Sequence, residues 1–183
     1  MTNLILHLGG SGKAAVAKCE QLYHELDGDA KILVSSEGLS TVDSYSPDIP
    51  VYHHREAWDT VTNFTTTYDY IQENYNPKKI YIVCHGFQIK RAILIAKAVY
   101  WQSKVKLIRC PSTDTKPRKQ DKNITIQDTW RAWCWKFSGI LFYWKSLRDV
   151  RQPESKNAPI PWNEIPIERL SFLPAEVKQK LCI

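Results

Sequence analysis

The sequence predicts a Rossmann-like α/β domain: a doubly wound, mainly parallel sheet in three layers, followed by an aromatic C-terminal helix. Three observations carry this expectation. Short apolar runs alternate with segments of helical period along the first two-thirds of the chain. The run Lys79-Ile80-Tyr81-Ile82-Val83-Cys84 is almost continuously apolar, as a strand covered on both faces requires. A glycine-rich turn, Gly9-Gly10-Ser11-Gly12, stands where the first run gives way to the first helical pattern.

Taken in order, Asn3 to Leu8 reads as a buried strand. From Lys13 to Leu26 the residues Val16, Cys19, Leu22, Tyr23 and Leu26 recur at helical spacing, and Gly28-Asp29 ends the pattern. Lys31 to Ser35 is a second strand, and Val51 to His53 a short third one. Val61, Phe64, Tyr68, Ile71 and Tyr75 mark one face of a helix that starts near Asp59 and stops before Pro77. After the central run, Ile89 to Trp101 is helical and Val105 to Ile108 is a fifth strand. This β-α-β-α order predicts parallel pairing with right-handed crossovers. Arg109 to Asn123 is polar, basic and holds two prolines, and it reads as a loop.

Ile126 to Leu147 reads as an aromatic helix with a candidate break at Ser138-Gly139. Trp130, Trp133, Trp135, Phe137, Phe142, Tyr143 and Trp144 cannot share one stripe of a straight helix. Such a helix packs into a core, forms a subunit or partner interface, or lies on a membrane surface, in that order of expectation. The domain is expected to span residues 1–150. Residues 151–183 carry five prolines and read as an extension packed on the same domain.

A net charge of +6 favours anionic partners, whether nucleotide, phosphate, nucleic acid or membrane surface, without choosing among them, and an anionic small molecule is the partner expected. The basic stretch Lys116-Pro117-Arg118-Lys119 reads as a solvated loop, and no specific nucleic acid is expected. Five cysteines, far apart and without a C-x-x-C pair, argue against a disulfide framework and against a zinc ribbon. No metal-ligand spacing is seen, and the adjacent His53-His54 reads as a surface or sheet-edge pair. The N-terminus has no basic n-region and no long apolar segment, so a cytoplasmic protein is expected.

Gly10-Ser11-Gly12-Lys13-Ala14-Ala15 fits the G-x-G-x-x-[G/A] pattern of a turn that brings backbone and helix N-terminus close to an anion. A tight turn between strand and helix is the competing reason for the glycines. A P-loop is excluded, because His7 replaces its first glycine and Ala14 supplies no hydroxyl for magnesium. Glu37, after the second strand, is a candidate acceptor for a ribose hydroxyl. His7 and His85 end the first and fourth strands, which are neighbours in a doubly wound sheet, so the two can meet over one crevice. His7 reads equally as a core histidine or a functional one. His85 is the candidate general acid or base, or an anion binder. Cys84 and His85, adjacent in a strand, point to opposite faces and do not form a nucleophilic pair.

Four segments together resemble the DUF218 family of YdcF-like proteins: Leu6-His7-Leu8-Gly9-Gly10, Ser35-Ser36-Glu37-Gly38, Asp59-Thr60-Val61-Thr62-Asn63 and His85-Gly86-Phe87-Gln88-Ile89-Lys90-Arg91-Ala92. The likeness extends over residues 3 to 145. It implies a Rossmann-like fold and, for some members, binding of S-adenosylmethionine without an established methyl transfer. By that resemblance Ser36, Thr60, Asn63 and Arg91 join Gly9, Gly10, Gly12 and Glu37 as binding residues. Two positions depart from the family pattern: Gln88 stands where histidine is usual, and His85 where serine or threonine is usual. The competing assignments are helix capping by Asp59 or Thr60 and a surface location for Arg91. The sequence leaves open whether the protein is a transferase, a hydrolase or a non-catalytic module working through residues 126–147.

Overall fold

The computed structural model describes residues 3–36, 39–57, 59–113, 122–139, 142–143 and 160–161. In chain order these form β1 (Asn3–Leu8), α1 (Gly12–Glu25), β2 (Ala30–Ser35), a 3-10 helix (Leu39–Ser44), β3 (Val51–His54) and α2 (Thr62–Asn74). There follow β4 (Lys79–His85), α3 (Ile89–Val99), β5 (Lys106–Ser112) and α4 (Lys122–Ser138). A separate parallel pairing joins β6 (Phe142–Tyr143) to β7 (Ile160–Pro161).

The main sheet has the order β3-β2-β1-β4-β5, and every neighbouring pair is parallel. This is the doubly wound arrangement read from the sequence. The chain steps outward through β1, β2 and β3, then returns past β1 to lay down β4 and β5. Strand order therefore reverses between β1 and β4, the place where such sheets open a crevice at their C-terminal ends.

The period of two along each strand divides the core between the faces. On one face Leu4, Leu6 and Leu8 meet Leu33, Ile80, Ile82 and Cys84 beneath Phe64 and Ile71 of α2 and Ala92, Ile95 and Val99 of α3. On the other, Ile5, Ile32, Val34 and Val83 meet Ala15, Cys19 and Leu22 of α1. Register matches this division, with Leu6 opposite Leu33 and Ile82, and Ile5 opposite Ile32 and Tyr81. Three layers result.

Two segments differ from the sequence reading. Strand β5 continues through Arg109, Cys110, Pro111 and Ser112, where a loop was expected. β5 lies at the edge of the sheet, so Pro111 breaks no ladder and exposed Arg109 faces away from the core. Buried Cys110 packs with Val83, and the Ser112 hydroxyl donates to the Cys84 carbonyl at 3.1 Å. The aromatic helix begins earlier than expected, at Lys122, and ends at Ser138 instead of Leu147. Gly139 adopts a left-handed φ of 70° and donates its N–H to the Trp135 carbonyl, which closes the helix. Residues Phe142 and Tyr143, expected to be helical, lie in β6.

Within its described span α4 packs on α3, with Ala132 in the core and Trp133 and Trp135 partly buried against it. The prediction of an extension over 151–183 falls almost wholly outside the described residues. Among the described residues no helix is long and apolar enough to cross a membrane, and the four described cysteines are free and buried.

Candidate functional site

The turn that leaves β1 is built by sterics. Gly9 donates its N–H to the Ser35 carbonyl at 2.8 Å. A Cβ on Gly9 would stand 2.1 Å from Ser36 Cβ and 2.9 Å from Ser35 O, so no larger residue fits. Gly10 and Gly12 have φ of +78° and +62°, backbone that L side chains rarely adopt. Among the described residues a Cβ at either would meet nothing within 4 Å, so the turn is open there. Buried Ser11 donates its hydroxyl back to the Leu8 carbonyl at 2.8 Å and does not cap α1. With no acidic residue in its first turn, α1 presents N–H groups and the positive end of its dipole at this opening.

His85, at the end of β4, reaches this turn. Its Nε2 lies 3.2 Å from the Gly10 carbonyl oxygen, and because that oxygen only accepts, Nε2 carries the proton. The ring stacks on Phe87 with centroids 5.4 Å apart. His7 is completely buried, with Nδ1 hydrogen-bonded to Tyr45 Oη at 2.7 Å. Burial, and secondarily the nearby His85, lower the His7 pKa to about 4. His7 is therefore a neutral core group, and His85 is the partly exposed histidine beside the turn.

Ser36 is held between strands. It donates its N–H to the His54 carbonyl at 3.1 Å and accepts from His53 Nε2 at 2.9 Å on its own carbonyl. The paired histidines thus serve the β3 edge, and no cluster of metal-ligating residues occurs among the described residues. The Ser35 hydroxyl donates to the Asn63 carbonyl at 3.2 Å, joining the end of β2 to the first turn of α2. Asn63 Oδ1 is buried and has no partner among the described residues. Glu37 lies outside the described residues.

A second group of candidate residues sits further along the same edge. Arg91 is 8% exposed, which excludes a surface role, and its Nη2 donates to Thr60 Oγ1. Its Nε lies 3.6 Å from Asp128 Oδ2 of α4. Asp59 and Thr62 cap the start of α2 reciprocally: Thr62 N–H donates to Asp59 Oδ1 at 2.8 Å, and Asp59 N–H to Thr62 Oγ1 at 2.7 Å. Arg131 Nη1 donates to Asp59 Oδ2 at 2.7 Å and to Asp128 Oδ1 at 3.1 Å. Two arginines and two carboxylates thus tie α2, α3 and α4 together in a buried, balanced network.

The two carboxylates differ. Burial opposes the charge on Asp59, but Arg131 and the Thr62 N–H outweigh it and hold the group below the usual aspartate range. Burial, reinforced by the Asp59 charge, raises Asp128 in spite of Arg131 and Arg91. Sequence reasoning missed Asp128 and Arg131 as site neighbours. Their signal was a charged pair three apart on a helix otherwise rich in aromatics.

Structure thus joins Gly9 with Ser36, Gly10 with His85, and Thr60 with Arg91. Two stability measurements follow. Replacing Asp59 by Asn breaks a buried ion pair and is expected to cost about 3 kcal/mol at neutral pH. A carboxyl with a depressed folded pKa stabilises above its unfolded value of about 3.9 and loses that contribution as pH falls through the lower folded value. Urea unfolding should therefore show the gap between wild type and Asp59→Asn narrowing below about pH 4, and a constant gap contradicts the pairing. For His7 the folded value of about 4 lies below the free one. Its neutral ring stabilises fully above about pH 6.5, and roughly 3 kcal/mol is lost as pH falls toward 4. His7→Gln should remove this slope, and an unchanged slope contradicts its burial as the neutral form.

No protein-family model matches the chain, and no curated protein matches it.

Proposed function

We propose that this protein binds a nucleotide-like or phosphorylated small molecule, with S-adenosylmethionine among the candidates, at the C-terminal ends of β1, β2 and β4. The observation that carries this reading is the open left-handed turn Gly10-Ser11-Gly12 at an uncapped helix start, with His85 bonded to it across the reversal of strand order. Backbone N–H groups there suit a phosphate or carboxylate, and the absence of side chains at Gly10 and Gly12 lets it approach closely.

Gly9, Gly10 and Gly12 shape the turn, Ser36 follows β2, and Glu37, next in the sequence, is the candidate acceptor for a ribose hydroxyl. Thr60, Asn63 and Arg91 form the polar wall, with Arg91 held in place by Asp128. His85 is the candidate catalytic group, as general acid or base in transfer or hydrolysis. The DUF218-like segments support this assignment, because their polar residues fall at strand ends and helix starts of the same edge. The reading extends to a cytoplasmic, DUF218-like protein.

A second reading, a non-catalytic module acting through α4, is favoured by the exposure of Ile126 and Phe137 on that helix. It covers a homo-oligomer or a protein partner.

Isothermal calorimetry with S-adenosylmethionine, ATP and inorganic phosphate separates the two. At least one probe should bind the wild type. Gly12→Asn keeps a residue that tolerates left-handed backbone but fills the opening, and it should weaken binding about tenfold or more. His85→Ala should weaken it as well, while thermal melting confirms that both variants are folded. Silence toward all three probes, or full affinity in folded Gly12→Asn, contradicts the proposal and favours the second reading.

A further inference from the structure

At the opposite end of the sheet, where α2 and α3 finish and β4 and β5 begin, a cleft of about 540 Å³ opens. Its volume is in the range of small-molecule sites. Among the described residues three lysines line it, Lys78, Lys104 and Lys136, and no carboxylate does. Helix C-termini carry roughly half a negative charge each. The ends of α2, α3 and α4 therefore offset only about half of three ammonium charges, and the cleft is left positive.

Its walls are also aromatic. Trp101 is 49% exposed and is braced edge-on by Trp133 at 5.2 Å, which in turn stacks on Phe137 at 5.5 Å. Lys136 Nζ lies 4.2 Å from the Tyr68 ring centroid and donates to Tyr68 Oη at 3.1 Å, which fixes the ammonium at the cleft.

We infer that this cleft is a second binding site, for a small molecule that carries an anionic group on a flat ring. The lysines take the phosphate or carboxylate, and Trp101 takes the ring face. The charge and the aromatic wall are independent of the glycine turn, so the inference stands apart from the function proposed above.

The test is a titration of the full chain with phenyl phosphate, followed through backbone amide and tryptophan indole N–H resonances. Saturable shifts of the Trp101 indole, assigned with Trp101→Phe, are expected. Phenol and inorganic phosphate, each with half of the chemistry, should bind about tenfold more weakly. Lys136→Gln should weaken phenyl phosphate about fivefold. Lys104→Gln, on an exposed side chain that the fold does not need, should do the same. An unmoved Trp101 indole overturns the inference, as does equal binding of phenol or unchanged affinity in both lysine variants. Shifts confined to the amides of residues 10–13 place the probe in the other crevice and also overturn it.

Discussion

Between the last residue of β1 and the first of α1 the chain has three residues in which to reverse its direction, and it must do so against β2. The Gly9 contact with Ser35 and Ser36 sets that limit. At 2.1 Å from Ser36 Cβ there is no volume for any side chain, and the left-handed glycines Gly10 and Gly12 complete a turn that other residues would strain. From this follow the position of α1 on one face, the direct approach of β1 to β2, and a turn whose outer side no described side chain crowds at Gly10 or Gly12. His85 is drawn to the turn from β4 and marks where the sheet changes direction.

A second constraint holds the opposite wall. α2, α3 and α4 lie on the same face and share Asp59, Arg91, Asp128 and Arg131. Each charge is compensated, yet the geometry is unequal: Arg131 bonds both carboxylates closely, whereas Arg91 stands farther from Asp128 and bonds Thr60. Thr60 and Arg91 are thereby fixed to each other, with Arg91 also held toward α4 by Asp128. Removing one partner leaves an uncompensated buried charge, which is why the network is costlier to break than to omit.

Much of this was legible in the residues themselves. The apolar run at 79–84 and the glycine turn are local patterns, and they led to the sheet and to its reversal between β1 and β4. The extent of β5 was not legible, because an edge strand with Arg109, Pro111 and Ser112 has the composition of a loop. The Asp59–Arg131 pair joins residues 72 apart, a partnership that periodicity does not encode. His7 left two readings open, and burial with Tyr45 as partner decided for the core. Arg91 read as either a surface residue or a site residue, and its burial removed the first. The basic, aromatic cleft left no trace in the sequence, since its lysines come from three separated segments.

In the proposed function an anionic ligand meets the backbone at the turn of residues 9–12. The most direct measurement is the amide spectrum of the protein with S-adenosylmethionine or ATP added. The account predicts the largest shifts at the N–H groups of Gly12, Lys13 and Ala14, with a smaller response at His85 and none at Trp101. Binding that leaves those three amides unmoved would contradict it.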